Sequence, residues 1–515
     1  MKGGKAIASG SVGCLFRPPL KCKGDTERPE NYVSKLMTSR NADYEYEEIE
    51  RILRYVRRVK NAGDYFVLKD IKLCVPDDKL TKGDIEGFDS TCSFFNDNEN
   101  IFQRNLEMRI KQGKLKMLQL PDGGATLYNM FSDGIMSNEG FPEVNRALIR
   151  LLVGGLIPLN KSQVIHADVK DANIVYSLDT KKARLIDWGL SFHYDSPNRA
   201  PIQDLEHYSI MVNQPVNRLM FYSRFVSKLN DFSKEHKVTS LKRKTIGNLM
   251  PIYVDYLKSH FFSEDKEHMK RTFDRFFDGT GHLSYVKSMI HLLNNYMFSK
   301  YKTSIQDVLA NNIANAYLTF SLVGGELKDF DENSFFKDVY RHNCDVFGFL
   351  YSYHNLLYRH PNFSMPYRFK VRLGEILMKY LYSAEFAGKR YNIKEIVREL
   401  RGLDKLALDN ESTFSPEHYP TPSPVSLRSL TPVKVKSKTP TPSRSKTRKR
   451  CPKGFRRDRK TRECVKVPSA KPKSVKVSSA KVVSPDEIML AATRKRCPRG
   501  YHIVKGTRKC RKVKG

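Results

Sequence analysis

The stretch "VIHADVKDANIV" (164–175) carries His166, Asp168, Lys170 and Asn173, and Asp187 follows fourteen residues after the asparagine in "LIDWGLS". These residue types at this spacing could move a phosphoryl group. Asp168 is a carboxylate able to accept or orient the proton of an attacking hydroxyl. Lys170, two residues on, can neutralise the group in transfer. Asn173 and Asp187 are hard oxygen donors suited to a magnesium ion that bridges phosphates. Such a reaction asks the protein for positioning and charge rather than covalent chemistry. A lone surface aspartate would explain either acid by itself. An ordered set, with an apolar run between its halves, is much harder to obtain by chance.

The residues that would complete such a site lie upstream. "IASGSVGCLF" (7–16), set against G-x-G-x-x-G-x-V, aligns Ala8, Gly10, Gly13 and Leu15. Glycines there allow a strand–turn–strand to bring backbone N–H groups against phosphates. Lys35 stands between apolar residues in "NYVSKLM", on an expected strand, where it could pair with phosphates. The spacing then predicts a helix over 43–59 with an apolar stripe at 49, 52, 53, 56 and 59. An acid near its inner face would hold Lys35: Glu48 is the choice, Glu45 the alternative. Short β-rich runs at 64–75 and 114–120 surround this helix. From 141 to about 408 helical periodicity dominates, including "YSYHNLLYRH" (351–360) and "FKVRLGEILMKYL" (369–381).

On these motifs, residues 1–408 resemble the eukaryotic-type serine/threonine protein kinases, and "GSVGCLFRPPLKC" with "NYVSKLM" looks most like those encoded by large nucleocytoplasmic DNA viruses. The resemblance implies an α+β, bilobal protein-kinase-like fold, with an N-lobe over about 1–120 and a C-lobe over about 121–408. It implies ATP and Mg²⁺ as cofactors and protein substrates phosphorylated on Ser or Thr. Asp168 and Lys170 would be catalytic, and Asn173 and Asp187 would hold metal. Ala8, Gly10, Gly13, Lys35, Glu48 and Gln119 would bind the nucleotide. In "CDVFGFLYSY" (344–353), Asp345 would brace the catalytic loop. The viral likeness further implies the host cytoplasm, at the viral factory or packaged in the virion, and a monomer.

Six departures from the family pattern stand out. Ala8 replaces the first loop glycine, and Trp188 replaces the phenylalanine after the metal-binding aspartate. Ala167 stands where most such loops carry the arginine that pairs with a phosphorylated activation segment. Pro121, which has no N–H, falls where a backbone N–H would reach the adenine, leaving the Gln119 carbonyl for that contact. No Ala-Pro-Glu sequence ends the segment after Asp187, and an insertion of helical pattern occupies about 216–335. Since 187–215 holds no threonine and only Ser191, Ser196 and Ser209, the expected enzyme is active without activation-loop phosphate.

Composition bounds the rest. The chain has 515 residues and a formal charge of +34, of which residues 409–515 supply 30 Lys+Arg against 7 Asp+Glu, a net of +23. A polybasic tail of this kind fits nucleic acid, an anionic surface or an acidic protein. Residues 409–446, rich in Ser, Thr, Pro and Lys, read as a disordered linker. Within 447–515 two cassettes, 447–467 and 493–513, align at an offset of 46, each with two cysteines 13 apart. A disulfide per cassette or one shared zinc would both fit the small hairpins this suggests. Body cysteines 14, 22, 74, 92 and 344 show neither a metal pattern nor a disulfide framework, which suits a reducing compartment. No segment is apolar enough over a bilayer's width to span a membrane. Two other functions remain open: a small-molecule kinase of the aminoglycoside or choline type, disfavoured by Lys170 and Gly189, and a kinase-fold scaffold that binds nucleic acid through its tail.

Overall fold

The structure is a computed structural model. It describes residues 4–10, 12–68, 70–235, 244–277, 281–296, 304–358, 360 and 363–409, together with short strand pieces between 455 and 512. The fold is mixed α+β, and the chain divides into two units, Met1–Val433 and Lys434–Gly515.

The first unit opens with an antiparallel sheet in the order β1-β2-β3-β5-β4, built from β1 Lys5–Ser9, β2 Gly13–Arg17, β3 Tyr32–Thr38, β4 Lys72–Cys74 and β5 Leu115–Pro121. Alternation along β3 sends successive side chains to opposite faces. Met37 therefore joins the core beneath α1 (Ser39–Val56), with Ala42, Ile49, Ile52 and Val56. Leu36 joins a second apolar cluster with Phe16, Phe88, Phe94, Phe95 and Met117. Lys35, two residues before Met37, faces α1. The helix starts at once after β3 because the Thr38 hydroxyl caps the Asn41 N–H.

Several local expectations change. Of the run 64–75 only Lys72–Cys74 is strand; Ala62–Asp64 is a single 3₁₀ turn before it. In 351–360 the helix ends at Tyr351 and a 3₁₀ turn covers His354–Leu357, so that stretch is not one amphipathic helix. The body cysteines do pair, contrary to the reading of their spacing: Cys14 with Cys92 and Cys22 with Cys74. These pairs are 78 and 52 residues apart in sequence; the packing of 82–111 against the sheet brings Cys92 to Cys14, and the bridge between Cys22 and Pro76 beside strand β4 brings Cys22 to Cys74. Cys344 is free and buried.

Helices build most of the remainder, beside a small sheet of Ala125–Thr126, Ile174–Ser177 and Lys182–Leu185, the last leading to Asp187, and the strand pairs Val164–Ile165 with Phe192–His193 and Leu322–Val323 with Glu326–Leu327. Phe141–Lys161 is one continuous helical run with a π-turn at Leu151–Leu156. Among the described residues the expected insertion holds five long helices, Ser223–Glu235, Ile246–His260, Lys266–Phe276, Gly281–Tyr296 and Ile305–Ser321, besides a 3₁₀ turn at Val216–Phe221 and the short helix Glu332–Phe335. The Ile305–Ser321 helix is buried on most faces, which makes this segment part of the common core. Helix Arg341–Tyr351 is buried from Asn343 to Tyr351. A Cβ at Gly348 would lie 2.4 Å from the Val169 carbonyl oxygen, so glycine is what lets this helix touch the loop at 166–173. Among the described residues no helix is long and apolar enough to cross a membrane.

In the second unit Phe455–Arg457 pairs with Cys464–Lys466, and Tyr501–Ile503 pairs with Lys509–Lys512. Arg457 faces Cys464 and Ile503 faces Cys510, which are the same positions of the repeat. Both cassettes thus form the same hairpin. Cys451, Cys497 and the linker 410–446 lie outside the described residues, and with them the choice between disulfide and zinc.

Candidate active site

The loop 166–173 is held from below by Asp345. Its carboxylate accepts the His166 N–H at 3.0 Å, the Ala167 N–H at 3.0 Å and the Asn160 side-chain amide at 2.8 Å. The brace expected at Asp345 is in place. His166 is buried, and burial pushes its pKa down to about 4. A neutral ring is what its contacts require. Nε2 lies 3.2 Å from the Ile186 carbonyl and must donate, while Nδ1 accepts the Asp168 N–H at 3.3 Å. His166 is thus a fixed peg between the loop and the strand that leads to Asp187. Trp188, also buried, packs edge-on against His166 and Phe66.

Asp168 sits in a cage of donors. Lys170 Nζ reaches its two oxygens at 3.0 and 2.8 Å, Asn173 Nδ2 donates to Oδ2 at 2.8 Å, and Asn213 Nδ2 donates to Oδ1 at 2.9 Å. Burial raises the Asp168 pKa, with the Lys170 ammonium working against it. The Asp187 charge acts on both Asp168 and Lys170, so the two halves of the motif converge. Asp187 has φ 63°, in the left-handed region, a strained conformation of the kind found at functional sites. Lys35 holds its carboxyl below the usual carboxylate range.

Lys35 extends from the sheet to meet these groups. Its Nζ lies 2.7 and 2.8 Å from the Glu45 oxygens and 3.8 Å from Asp187 Oδ1. Burial works against its charge, but the Asp187 and Glu45 carboxylates outweigh it and the net shift is upward. Glu45, not Glu48, is therefore the partner. The buried positions of α1 are 42, 45, 49, 52 and 56, and Glu45 lies on that stripe. Glu48 lies one step round the helix, where it pairs with Arg51.

The remaining nucleotide candidates come from the sheet. Ala8 and Gly10 flank the β1–β2 turn, which the Gly10 N–H closes on the Gly13 carbonyl at 2.8 Å. Gly13 has a second reason to be glycine: a Cβ there would lie 2.3 Å from the Leu36 carbonyl oxygen. Gln119 lies in β5 opposite Ser34 and Lys72, one residue past Leu118, which faces Lys35. It is buried, and its side-chain amide donates to the Leu20 carbonyl at 3.0 Å. Pro121 closes β5 opposite Tyr32. Among the described residues no group of three or more His, Cys, Asp or Glu could hold a metal unaided. A cavity of about 460 Å³ lined by Tyr65, Ile149, Val153 and Val397 contains none of these residues.

Two residues were missed by sequence reading. Asn213 and Gln214 stand just before Pro215, and their side chains turn back to the loop 44 to 47 residues earlier. An Asn-Gln pair has no distinctive spacing, so no sequence signal marks it. No family model and no curated protein sequence matches this chain.

Proposed function

We propose that this chain is an ATP-dependent serine/threonine protein kinase whose activity does not depend on phosphorylation of the segment after Asp187. The observation that carries this reading is the convergence of Lys35–Glu45, Asp187 and the Asp168–Lys170–Asn173 cluster from three separate parts of the sequence. Phosphoryl transfer needs such a meeting of cations, hard oxygen donors and a carboxylate beside the nucleophile.

The residues suit a magnesium nucleotide. The Asp187 side chain is 44% exposed and is held ionised by Lys35, and Asn173 offers an amide oxygen. Two hard oxygen donors are too few for a dedicated cage but suit an ion that completes its shell with phosphates and water. Bound there, Mg²⁺ would neutralise charge on the phosphates. Lys35, positioned by Glu45, would hold the nucleotide's phosphates near Asp187. Asp168 would orient the acceptor hydroxyl, and Lys170, bonded to it, would offset charge on the transferred group. His166, neutral and buried, would position rather than exchange protons.

Ser191 is 5% exposed and its hydroxyl donates to the His166 carbonyl at 3.3 Å, which leaves Ser196 and Ser209 as the accessible serines of that segment. The test is transfer from γ-labelled ATP with Mg²⁺ to basic protein, casein and aminoglycoside acceptors, beside Asp187→Asn. Label on Ser or Thr that disappears in the variant is the expected result. Label confined to small acceptors would favour the small-molecule kinase, and no transfer at all would refute the enzyme.

A further inference from the structure

Ala167 has φ 61°, an unfavourable conformation for an L-residue that persists only where the surroundings enforce it. Both of its peptide groups are held. The N–H goes to Asp345 at 3.0 Å, and the carbonyl accepts from Gln214 Nε2 at 2.6 Å. Gln214 Oε1 in turn accepts from Arg218 Nη1 and from the Met211 N–H at 3.2 Å. Arg218 Nε donates to the Leu205 carbonyl at 3.0 Å. Beside this, Asn213 donates to Asp168 Oδ1 and to the Val169 carbonyl at 2.9 and 3.1 Å. Three consecutive loop residues, 167 to 169, are therefore tied to one short stretch. Asn213, Gln214 and Arg218 are each no more than 3% exposed.

We propose that Gln214, backed by Arg218 and flanked by Asn213, is a positioning residue that latches the catalytic loop in its working shape without any modification. This rests on the kinase reading. The chemistry is specific to an amide. Gln214 must donate to the Ala167 carbonyl and accept from a guanidinium with the same terminal group, and a carboxylate can do only the second. The latch supplies permanently the tie between segment and loop that an arginine at 167 would supply only to a phosphorylated segment.

The full chain, with Gln214→Ala, Gln214→Glu and the double variant Ser196→Ala/Ser209→Ala, provides the test. Rates with labelled ATP and basic protein are measured beside amide hydrogen exchange of residues 166–173. Gln214→Glu keeps an acceptor for Arg218 and the volume of the side chain, so it guards against simple misfolding. The expected result is a fall in kcat of roughly tenfold in both Gln214 variants, with KM for ATP within about twofold, faster exchange at 166–173, and a double serine variant equal to the parent. Parental kcat and exchange in Gln214→Glu would overturn the latch, as would loss of activity in the serine variant. If the parent chain transfers no phosphate, the kinase reading fails by itself. The exchange comparison then still decides whether Gln214 holds the loop.

Discussion

Replacing Glu45 and Glu48 separately with glutamine distinguishes a functional ion pair from a surface one. Glu45 receives both short contacts of Lys35, at 2.7 and 2.8 Å, with side-chain exposures of 19% for the lysine and 11% for the glutamate. Hydrogen bonds to charged groups in such settings are worth about 1.5–3 kcal/mol. Glutamine keeps the volume and one acceptor oxygen but removes the charge, so Lys35 turns toward Asp187, its other neighbour. The expected loss in kcat/KM for ATP is roughly 10- to 100-fold, since each 1.4 kcal/mol is a factor of ten. Glu48 pairs with Arg51 one turn along the helix, and half-exposed pairs of this kind contribute about 0.3–0.5 kcal/mol. Glu48→Gln should therefore lower thermal stability slightly and leave kcat/KM within about twofold. The assay is initial-rate transfer from γ-labelled ATP over a range of nucleotide concentrations. Equal losses in both variants, or a larger loss in Glu48→Gln, would refute the assignment of Glu45.

Asp345→Asn places an amide N–H₂ against donors that now meet a carboxylate, and urea titration should show a loss of about 2 kcal/mol or more. His282 is buried with a pKa pushed down to about 3. Below its unfolded value of about 6.5 the unfolded chain binds a proton that the folded chain refuses, so stability falls with pH until about 3. Between pH 7 and 5 this one group removes about 2 kcal/mol, and urea titrations of His282→Leu should show that much less acid sensitivity. The two body disulfides close loops of 78 and 52 residues, each worth about 4 kcal/mol by loop entropy, with a smaller total because they are nested. Alkylation of the unreduced, denatured chain should modify Cys344 alone among the body cysteines, and reduction should lower the melting temperature. The basic tail, with 30 Lys+Arg against 7 Asp+Glu over 409–515, should confer DNA binding that weakens steeply with salt; equal affinity in a chain ending at 409 would exclude the tail.

The chemistry-bearing groups were legible because their residue types and local order define what they can do. Asp168, Lys170, Asn173 and Asp187 meet where their spacing suggested, and the Asp345 brace was readable from its neighbours Phe347 and Gly348. The strand runs expected at 31–37 and 114–120 are strands at 32–38 and 115–121, and the helix expected over 43–59 runs from Ser39 to Val56, begun four residues earlier by the Thr38 cap that its apolar period does not mark. The weak points lay where local pattern is ambiguous. A run such as 64–75 has strand-like composition, yet only three residues find a partner in β5.

What the sequence determined alone is the inventory: which carboxylates, amides and cations exist, and in what order. The tertiary structure decided the partnerships. It chose Glu45 over Glu48 because the buried stripe of α1, 42, 45, 49, 52 and 56, carries Glu45 toward Lys35 and leaves Glu48 beside Arg51. It paired four cysteines that lie 52 and 78 residues apart. It also brought Asn213 and Gln214 back to the loop at 166–173. Each of these depends on a distance between segments far apart in the chain, and such distances are fixed only when the core packs.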